Sequence, residues 1–438
     1  MKSMGTAEQV TPKAEGLPVG WRWSNMGELA QVNPPRTYPE SDEAVVSFLA
    51  MGDVSEDGRI RTRQTRSYSD VAKGFTSFID DDVLVAKITP CFENGKGAHV
   101  AGLLNGVGFG STEFHVIRAR QEIAFPAFLH LHTRTEAFRT KGERNMVGSA
   151  GQKRVPAEFL RAYPIALPPV LEQKGIAAIL TAADDKLDVI ARQIEVTQTI
   201  KQGLIQTLFS KGIGSKSADG RWTRHTAFVK VGSAEYPKSW RMGRMGDFAP
   251  LVRREVDVQP SKSYPELGLR SFGKGTFHKP ALTGEQVGSK RLFLIKAGDL
   301  LLSNVFAWEG AVAVASPEDD GRYGSHRYIT CKVDPEIANV HFVARYLVTP
   351  AGLASIGLAS PGGAGRNKTL GLAALADMNI PLPPLAEQNA INEVLECVEA
   401  KIAVLQAKHE LYRDLKSGLM QKLLTGEWRV KVDADIAA

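Results

Sequence analysis

The chain has 438 residues, of which 43% are hydrophobic, 23% charged and 8% aromatic, a composition that indicates a globular protein and excludes a collagenous or largely disordered one. A chain of this length predicts about three folded units. The 54 lysines and arginines exceed the 48 acidic residues and leave a net charge of +6, which favours a polyanionic partner without requiring one.

The cysteines and the N-terminal residues point to the cytoplasm. Cys91, Cys331 and Cys397 are far apart and form no Cys-x-x-Cys pair, so neither a disulfide framework nor a zinc finger is predicted. The first residues, MKSMGTAEQVTPKAEG, lack the apolar core of a secretion signal. No stretch approaches the roughly 18 uninterrupted apolar residues of a membrane-spanning helix. We therefore expect a cytoplasmic protein without a membrane partner.

After an N-terminal tail, residues 1–14, the chain predicts a mixed α/β domain over 15–165. Runs such as AVVSFLAM and DDVLVAKI are short, apolar and bounded by turn residues, which is typical of strands. Three arginines alternate within this domain, so in an extended strand they would project from one face. That face would suit a DNA groove or plain solvent equally well. These candidate DNA contacts are Arg59, Arg61 and Arg63, with Arg66 just beyond.

A long helix is predicted within the next segment, residues 166–214. Pro168 and Pro169 end the preceding strand and suit the first turn of a helix, where a missing N–H costs nothing. Apolar residues then recur at alternating steps of four and three, a heptad seam that a partner helix would bury. The seam residues expected to face the partner helix are Leu180, Leu187, Ile190, Leu204 and Leu208.

The second half of the chain repeats this plan. Residues 215–380 hold runs such as LFLIKAGDLLLSNV and GAVAVA, and they predict a second α/β domain. Residues 381–428 predict a second long helix, which is followed by a C-terminal tail, residues 429–438. The corresponding seam residues are Leu395, Ile402, Leu405, Leu419 and Leu423.

The two helical segments are an internal repeat. Residues 166–210 and 381–425 align without a gap at a constant offset of 215, with 15 identities in 45 positions. Upstream, LPVGWRWSNMGELA is similar to YPKSWRMGRMGDFA. Matched seams predict that the helices pack on each other. The predicted fold is α+β, with two α/β domains separated by two long antiparallel, coiled-coil-like helices. Its internal pseudo-twofold symmetry is one that duplex DNA also approximates.

The segments IALPPVLEQKGI and IPLPPLAEQNAI each open a long helix that ends in Lys-x-Gly-Leu-x-Gln-x-Leu. On this doubled signature, and on FLAMGDVSEDGRI, STEFHVIR, GLRSFGKGTFHKP and SHRYI, the chain resembles the specificity subunits of type I restriction-modification systems. The resemblance implies that the α/β domains are target recognition domains, each of which reads one half of a bipartite, asymmetric DNA sequence. It implies that the helices set the spacing and dock the methyltransferase subunits.

The same resemblance implies partners and cofactors. The partners would be double-stranded DNA, two methyltransferase (modification) subunits and restriction (translocase) subunits. The chain itself is expected to be non-catalytic and to bind no cofactor or metal. S-adenosylmethionine, ATP and Mg²⁺ are implied for the partner subunits.

Further candidate DNA contacts lie in two glycine-rich segments at equivalent positions before the helices, GSAGQKR and GGAGRNK. Glycine lets a backbone approach a phosphate closely, so DNA contact is favoured here over a flexible turn. The donors are Lys153, Arg154, Arg366, Asn367 and Lys368.

Other candidates carry a weaker signal. A looser basic stretch in the second domain contains Lys274, His278 and Lys279. Lys87 and Asn304 interrupt matched apolar runs, where either DNA or an internal hydrogen bond would satisfy their polar groups.

Three motifs fall short of a catalytic site. Asn33-Pro34-Pro35-Arg36 has arginine where an amino-methyltransferase motif has an aromatic residue, and the glycine-rich segment at 362–368 does not complete a P-loop. Adjacent carboxylates in the acidic run 80–82 would point to opposite faces of a strand. Two alternatives stay open. One is a component of a combined restriction-modification enzyme that carries some chemistry, and the other is an orphan or diverged scaffold without its own sequence recognition.

Overall fold

The computed structural model describes residues 16–149, 151–232, 234–362 and 368–431. The chain divides into two compact units. The first unit contains the described residues up to Ala191 and those from Lys408 onward, and the second unit contains Arg192–Ala407. Each of the two long helices therefore contributes one part to each unit.

The first unit combines short strands with short helices. The strands are β1 (Arg22–Asn25), β2 (Ala30–Val32), β3 (Val45–Leu49), β4 (Gln64–Ser67), β5 (Thr76–Ile79), β6 (Val83–Ala86), β7 (Gly97–His99), β8 (Val107–Gly110), β9 (Phe114–Ala119) and β10 (Pro164–Leu167). The helices are α1 (Met26–Leu29), α2 (Tyr68–Val71), α3 (Pro126–Thr133), α4 (Glu136–Arg144) and α5 (Ala157–Ala162), followed by the long helix α6 (Val170–Lys211).

The first unit contains two four-stranded sheets and one antiparallel pair of strands. Their strand orders are β2-β9-β6-β7 and β4-β3-β8-β5, and β1 pairs with β10 just before α6. The pair β3 and β8 is parallel, and β1 with β10 is antiparallel. Strand β6 is buried along its whole length, because both of its faces are covered. One face joins the core that also holds Ile176 and Leu180 of α6.

The second unit has the same kinds of element. Its strands are β11 (Ser215–Lys216), β12 (Trp222–Thr223), β13 (Phe228–Val231), β14 (Ala234–Pro237), β15 (Arg241–Arg244), β16 (Glu255–Val256), β17 (Ser263–Leu269), β18 (Thr276–Thr283), β19 (Leu292–Leu294), β20 (Leu300–Ser303), β21 (Val312–Val314), β22 (Tyr323–Ser325), β23 (Tyr328–Cys331) and β24 (Asn379–Leu382). The helices are α7 (Met245–Phe248), α8 (Gly284–Val287), α9 (Val340–Leu347), α10 (Pro350–Leu358), α11 (Leu372–Asp377) and the long α12 (Leu385–Leu424).

The sheets of the second unit mirror those of the first. Strand β15 pairs with β24 just before α12, as β1 pairs with β10 before α6. The buried strand β20 lies between β21 and β23, and a five-stranded sheet has the order β16-β19-β22-β17-β18. Its hairpin β17–β18 adjoins β22 in parallel, as the hairpin β3–β4 adjoins β8. The repeat seen in the sequence is thus a repeat of architecture.

The long helices pack against each other within each unit. In the first unit, Ile176 and Leu180 from the start of α6 share a core with Leu423 near the end of α12. In the second unit, Leu208 near the end of α6 shares a core with Leu395 near the start of α12. The helices therefore run antiparallel, and the predicted fold is confirmed. Every predicted seam residue is buried or half-buried, namely Leu180, Leu187, Ile190, Leu204, Leu208, Leu395, Ile402, Leu405, Leu419 and Leu423.

Candidate nucleic-acid interface

Both units place a polar residue at the end of their buried central strand. Lys87 follows β6, and its N–H donates to the carbonyl of Glu113 at 2.9 Å while its own carbonyl accepts from Val155 N at 2.8 Å. In the second unit the equivalent residue is Asn304, which follows β20. Lys87 and Asn304, which interrupt the matched apolar runs of the sequence, thus each lie one position beyond a strand rather than within it.

The backbone partners of Asn304 match those of Lys87. Asn304 N–H donates to the carbonyl of Arg327 at 2.7 Å, and its carbonyl accepts from Leu370 N at 2.9 Å. The side-chain Oδ1 of Asn304 is buried and has no partner among the described residues. In each unit the segment just after the glycine-rich stretch is therefore fastened to the end of the central strand.

The glycine-rich segments close into similar loops. Val147 bridges Arg154 in the first unit, and Gly362 bridges Lys368 in the second. Gly148 has φ +126°, and a Cβ there would lie 2.9 Å from the carbonyl oxygen of Gln152, so glycine is required at this turn. Two predicted contacts of the second loop lie outside the described residues, Arg366 and Asn367.

Several predicted DNA contacts are lysines that form no ion pair with a described carboxylate. Within the described ranges no ion pair involves these lysines, which are Lys87, Lys153, Lys274 and Lys368. Lys274 lies 5.8 Å from the centre of the Phe272 ring, and Lys368 lies 5.1 Å from that of Trp308. Lys87, Lys153 and Lys368 belong to the strand ends and the glycine-rich loops. Each unit thus has at least one such lysine at a strand end or loop of the kind that contacts a phosphate backbone.

The predicted strand face of three arginines is wrong. Residues 59–63 form a loop, because the carbonyl of Arg59 accepts from Ser55 N and Gly58 turns the chain at φ +81°. The guanidinium of Arg59 pairs with Asp188 on α6. Contact of these three arginines with DNA stays a prediction.

The other arginines of this stretch also have internal partners. Arg61 pairs with Asp57 at 2.7 Å. Arg63 donates to the carbonyl of Gly102 at 2.7 Å. Arg66 lies on β4, with its guanidinium 3.6 Å from the centre of the Phe48 ring. Each of the four side chains is held by a different partner, so they do not form one basic face.

Other predicted contacts likewise lie beside carboxylates inside the protein. Arg154 makes a two-pronged pair with Glu113, with N–O distances of 2.8 and 3.0 Å, and this hydrogen bonding holds the pKa of Glu113 below its ordinary value. His278 lies 2.9 Å from the buried carboxylate of Asp319. Lys279 lies 3.9 Å from Glu266. These residues therefore contact carboxylates within the protein, and their contact with DNA stays a prediction.

The signature that opens each long helix is a structural device. The side chain of Gln173 accepts from Phe125 N at 2.8 Å and donates to the carbonyls of Ile123 and Pro168 at 3.0 and 2.9 Å. The side chain of its repeat partner, Gln388, makes the same three kinds of bond, one from Asn339 N at 2.8 Å and two to carbonyls at 3.3 and 2.9 Å. Both glutamines are fully buried. Each therefore ties the start of a long helix to the loop that precedes α3 or α9.

The glutamate before each of these glutamines receives an indole N–H. Trp21 Nε1 donates to Glu172 at 3.0 Å, and Trp240 Nε1 donates to Glu387 at 3.1 Å. The repeat aligns both pairs, but the sequence alone gives no sign that tryptophan and glutamate meet across about 150 residues. These contacts were not predicted.

A second unpredicted contact joins three elements in each unit. Arg134, just after α3, and Lys416 of α12 both pair with Asp184 of α6. Although burial opposes its ionisation, hydrogen bonds and the nearby charges of these two cations hold the pKa of Asp184 below its ordinary value. Burial and the charge of Arg134 lower the pKa of Lys416, which Asp184 only partly opposes.

The second unit has the same contact at the equivalent positions. Arg345 of α9 and Lys201 of α6 pair with Glu399 of α12, at 2.8 and 2.9 Å. The conserved offset of 215 explains why Lys201 and Lys416 are among the identities of the repeat. In each unit one carboxylate thus joins the helix pair to the α/β part.

The near-miss motifs also have structural explanations. The guanidinium of Arg36 donates to the backbone carbonyls of Phe75 and Val71. The last residue of the acidic run, Asp82, forms a two-pronged pair with Arg118 at 2.9 and 2.8 Å. Among the residues that the structure describes, no group of three or more His, Cys, Asp and Glu is placed to hold a metal ion. In that same part of the chain, no helix combines the length and apolarity that a membrane crossing requires.

Comparison with known families assigns the chain. Its residues 18–198 and 237–411 match the model of the family described as Type I restriction modification DNA specificity domain. The two matches cover more than half of the chain, with one in each half of the repeat. The chain belongs to this family. The resemblance inferred from the doubled helix signature is confirmed.

Relatives within the specificity-domain family match part of the chain. The EcoAI specificity subunit of a type I restriction enzyme from Escherichia coli is 38% identical over 205 residues, which are 46% of this chain and 34% of that protein. The EcoEI subunit is 37% identical over the same length. These alignments span about a third of the relatives. The MjaVIII subunit of Methanocaldococcus jannaschii is 25% identical over 309 residues, 66% of this chain and 67% of that protein.

Solved structures match over nearly the full chain. The HsdS subunit from Thermoanaerobacter tengcongensis has a TM-score of 0.53 at 20% identity and covers 95% of this chain and 99% of its own. A chain from a study of complex assembly and conformational transition of the type I R-M system has a TM-score of 0.57, also at 20% identity, with coverages of 94% and 100%. At these identities the match establishes a common fold.

Proposed function

We propose that the chain is the DNA sequence-specificity subunit of a type I restriction-modification complex. Each unit reads one half of a bipartite, asymmetric duplex target. The observation that carries this proposal is the duplicated site, in which a polar residue at the end of a buried strand adjoins a glycine-rich loop with free lysines. Lysines at such loops supply phosphate contacts, and neighbouring side chains distinguish base edges.

The long helices provide the second element of the function. Each unit fastens the pair through one carboxylate, Asp184 in the first and Glu399 in the second. Rigid fastening fixes the spacing between half-sites, since a helix rises about 1.5 Å per residue. The outer faces of the helices dock the methyltransferase subunits. They carry exposed apolar side chains, among them Val189, Val404 and Leu411.

The chemistry belongs to the partners in this proposal. The chain is non-catalytic and binds no cofactor, and two methyltransferase subunits bring S-adenosylmethionine. Restriction (translocase) subunits bring ATP and Mg²⁺. Names of the relatives support this assignment, because they are specificity subunits of type I restriction enzymes.

The test is single-molecule methylome sequencing in a methylation-free host. One strain expresses this chain with the methyltransferase encoded beside it, and the control strain expresses the methyltransferase alone. We expect a bipartite motif of methylated adenines only when the chain is present. A stable complex that yields no motif would contradict the proposal and favour a scaffold without recognition. Methyl transfer by the purified chain alone would favour a combined enzyme.

A further inference from the structure

The tip of the hairpin β17–β18 presents an unusually exposed aromatic side chain. Phe272 is 75% exposed, and its backbone has φ +63°. A bulky residue rarely adopts the left-handed region, which costs of order 1 kcal/mol or more and persists where the surroundings enforce it. A glycine would fit this position without strain. The structure thus holds a large apolar group in water at an energetic cost.

The hairpin tip is fastened to the turn that follows β20. Phe272 N–H donates to the carbonyl of Glu309, and Gly273 N–H donates to that of Gly310, both at 2.8 Å. Ser271 Oγ adds a bond to the Glu309 carboxylate at 3.2 Å. These three bonds fix the backbone on both sides of the phenyl ring. The ring is therefore presented by a rigid support.

The support lies beside the candidate nucleic-acid interface. The turn that receives the hairpin contains Trp308, whose ring lies 5.1 Å from the ammonium of Lys368 in the glycine-rich loop. The same turn begins at Asn304, directly after the buried strand β20. On the hairpin itself, the exposed Lys274 lies beside Phe272. The apolar ring on this hydrogen-bonded backbone thus lies in a region that also holds cations suited to phosphates.

We propose that Phe272 is a wedge that inserts between neighbouring base pairs of the half-site read by the second unit. DNA-bending proteins use such apolar wedges, and the unstacking costs a few kcal/mol per step. A ring carried on a fixed backbone offsets this cost better than one on a mobile loop, because little backbone freedom is lost on binding. The inference rests on the proposed function and adds a residue that reads the deformability of the target.

The corresponding hairpin of the first unit, whose residues 45–67 are all described, lacks this feature. Its hairpin β3–β4 is the architectural counterpart, and the connecting residues 50–63 expose no large hydrophobic side chain. This loop carries arginines instead, and Arg59 is tied to α6. The wedge therefore predicts distortion in one half-site only.

The test uses the full chain assembled with its methyltransferase subunits and duplexes that carry the methylated motif. 2-Aminopurine replaces one base at a time, because its fluorescence rises when stacking is lost. The main variant is Phe272→Gly, since glycine adopts φ +63° without strain. Phe272→Trp keeps a wedge, and Phe228→Ala removes another exposed ring of the second unit, on β13. 2-Aminopurine at the position of the target adenine serves as an internal control, because base flipping also raises its fluorescence.

We expect the wild-type complex to brighten one further position, in the half-site of the second unit. Phe272→Gly should abolish this signal and weaken binding roughly tenfold, as loss of one aromatic–base stack does. Phe272→Trp and Phe228→Ala should retain both. A specific wild-type complex without the extra signal, or a Phe272→Gly complex that matches Phe228→Ala, would overturn the wedge alone. A wild-type complex without any sequence preference would overturn the proposed function and the wedge with it.

Discussion

The two units keep the same buried carboxylate but give it different partners. Glu172 in the first unit accepts two bonds from Arg429, at 2.7 and 2.8 Å, and the side chain of Arg429 is 41% exposed. Glu387 in the second unit faces His225 at 3.0 Å, and that side chain is 6% exposed. The duplication thus preserved the anion and its place at the helix start. The partner side chain and its access to water were free to change.

A second comparison concerns the carboxylate that joins the helices. The side chain of Asp184 is 13% exposed and that of its partner Lys416 is 10% exposed. In the second unit the equivalents, Glu399 and Lys201, are 38% and 31% exposed. The two units therefore make the same ion pair at different solvent exposure. Because water weakens ion pairs, the two units should respond differently to the same substitution.

The largest expected effect follows from removing Glu387. Its oxygens also accept the backbone N–H groups of Ile213 at 2.9 Å and Gly214 at 3.0 Å, so Glu387→Ala leaves several buried donors without a partner. We expect a loss of about 5 kcal/mol in the unfolding free energy of the second unit. Glu172→Ala should cost the first unit less, because the exposed Arg429 regains water. Urea denaturation monitored by circular dichroism measures both. Equal losses would contradict this comparison.

Acid should destabilise the first unit more than the second. Burial lowers the pKa of His130 to about 3 and that of His132 to about 4, against an ordinary value of about 6.5 in the unfolded chain. Below about pH 6.5 the unfolded state therefore binds protons that the folded state does not, and stability falls as the pH falls towards those folded values. Between pH 7 and 5 we expect a loss of roughly 4 kcal/mol from the two groups together.

The measurement is the urea midpoint of each unit as a function of pH. His132→Gln should flatten the profile of the first unit by about half. His341→Gln, at an exposed histidine of the second unit, should leave both profiles unchanged. A first unit that is equally stable at pH 7 and pH 5 would refute the account of these histidines.

The joining carboxylates should differ by a smaller amount. Asp184→Ala leaves the half-buried Arg134 and the buried Lys416 without their anion, and we expect a loss of about 3 kcal/mol. Glu399→Ala, at the more exposed site, should cost about 1 kcal/mol. Denaturation of the two variants under identical conditions gives the comparison. The distinction fails if Glu399→Ala costs as much as Asp184→Ala.

The smallest effect distinguishes free from paired cations in DNA binding. Lys153→Ala removes a free ammonium, so it should weaken binding about threefold and lower the slope of log affinity against log salt by about 0.9. Arg61→Ala removes a guanidinium already paired with Asp57, and it should leave the slope unchanged. Fluorescence anisotropy between 50 and 200 mM salt, roughly the range over which such slopes are resolved, measures both variants with the assembled complex. Identical salt slopes for Lys153→Ala and Arg61→Ala would contradict the distinction between free and paired cations.

Most of the fold could be predicted from the hydrophobic periodicity and the internal repeat of the sequence. The heptad seam predicted α6 and α12 because a 3.5-residue repeat keeps one stripe towards a partner, and the alignment predicted matching architecture. The alternation of Arg59, Arg61 and Arg63 led to a wrong prediction of a common face. Alternate residues share a face only in a strand, and the chain turns at Gly58 and forms a loop here. Local pattern predicts an orientation only where the backbone stays regular.

The candidate site was predictable only in part. Lys87 and Asn304 were identified because polar residues interrupt apolar runs, and the glycine-rich loops were identified by composition. Whether a cation is free depends on which carboxylate folds against it, as Glu113 does on Arg154. Such pairs join residues far apart in sequence. Phe272 gave no signal because exposure and backbone conformation are properties of the folded chain.

The most direct test asks whether each unit reads its own half-site. Methylated motifs are determined for the wild-type chain and for Lys87→Ala and Lys368→Ala, each expressed with the methyltransferase in the methylation-free host. We predict a bipartite motif. Lys87→Ala should lower methylation only at sites whose first half deviates from the motif, and Lys368→Ala only at sites whose second half deviates from it. A single contiguous motif, or two variants that affect both halves alike, would contradict it.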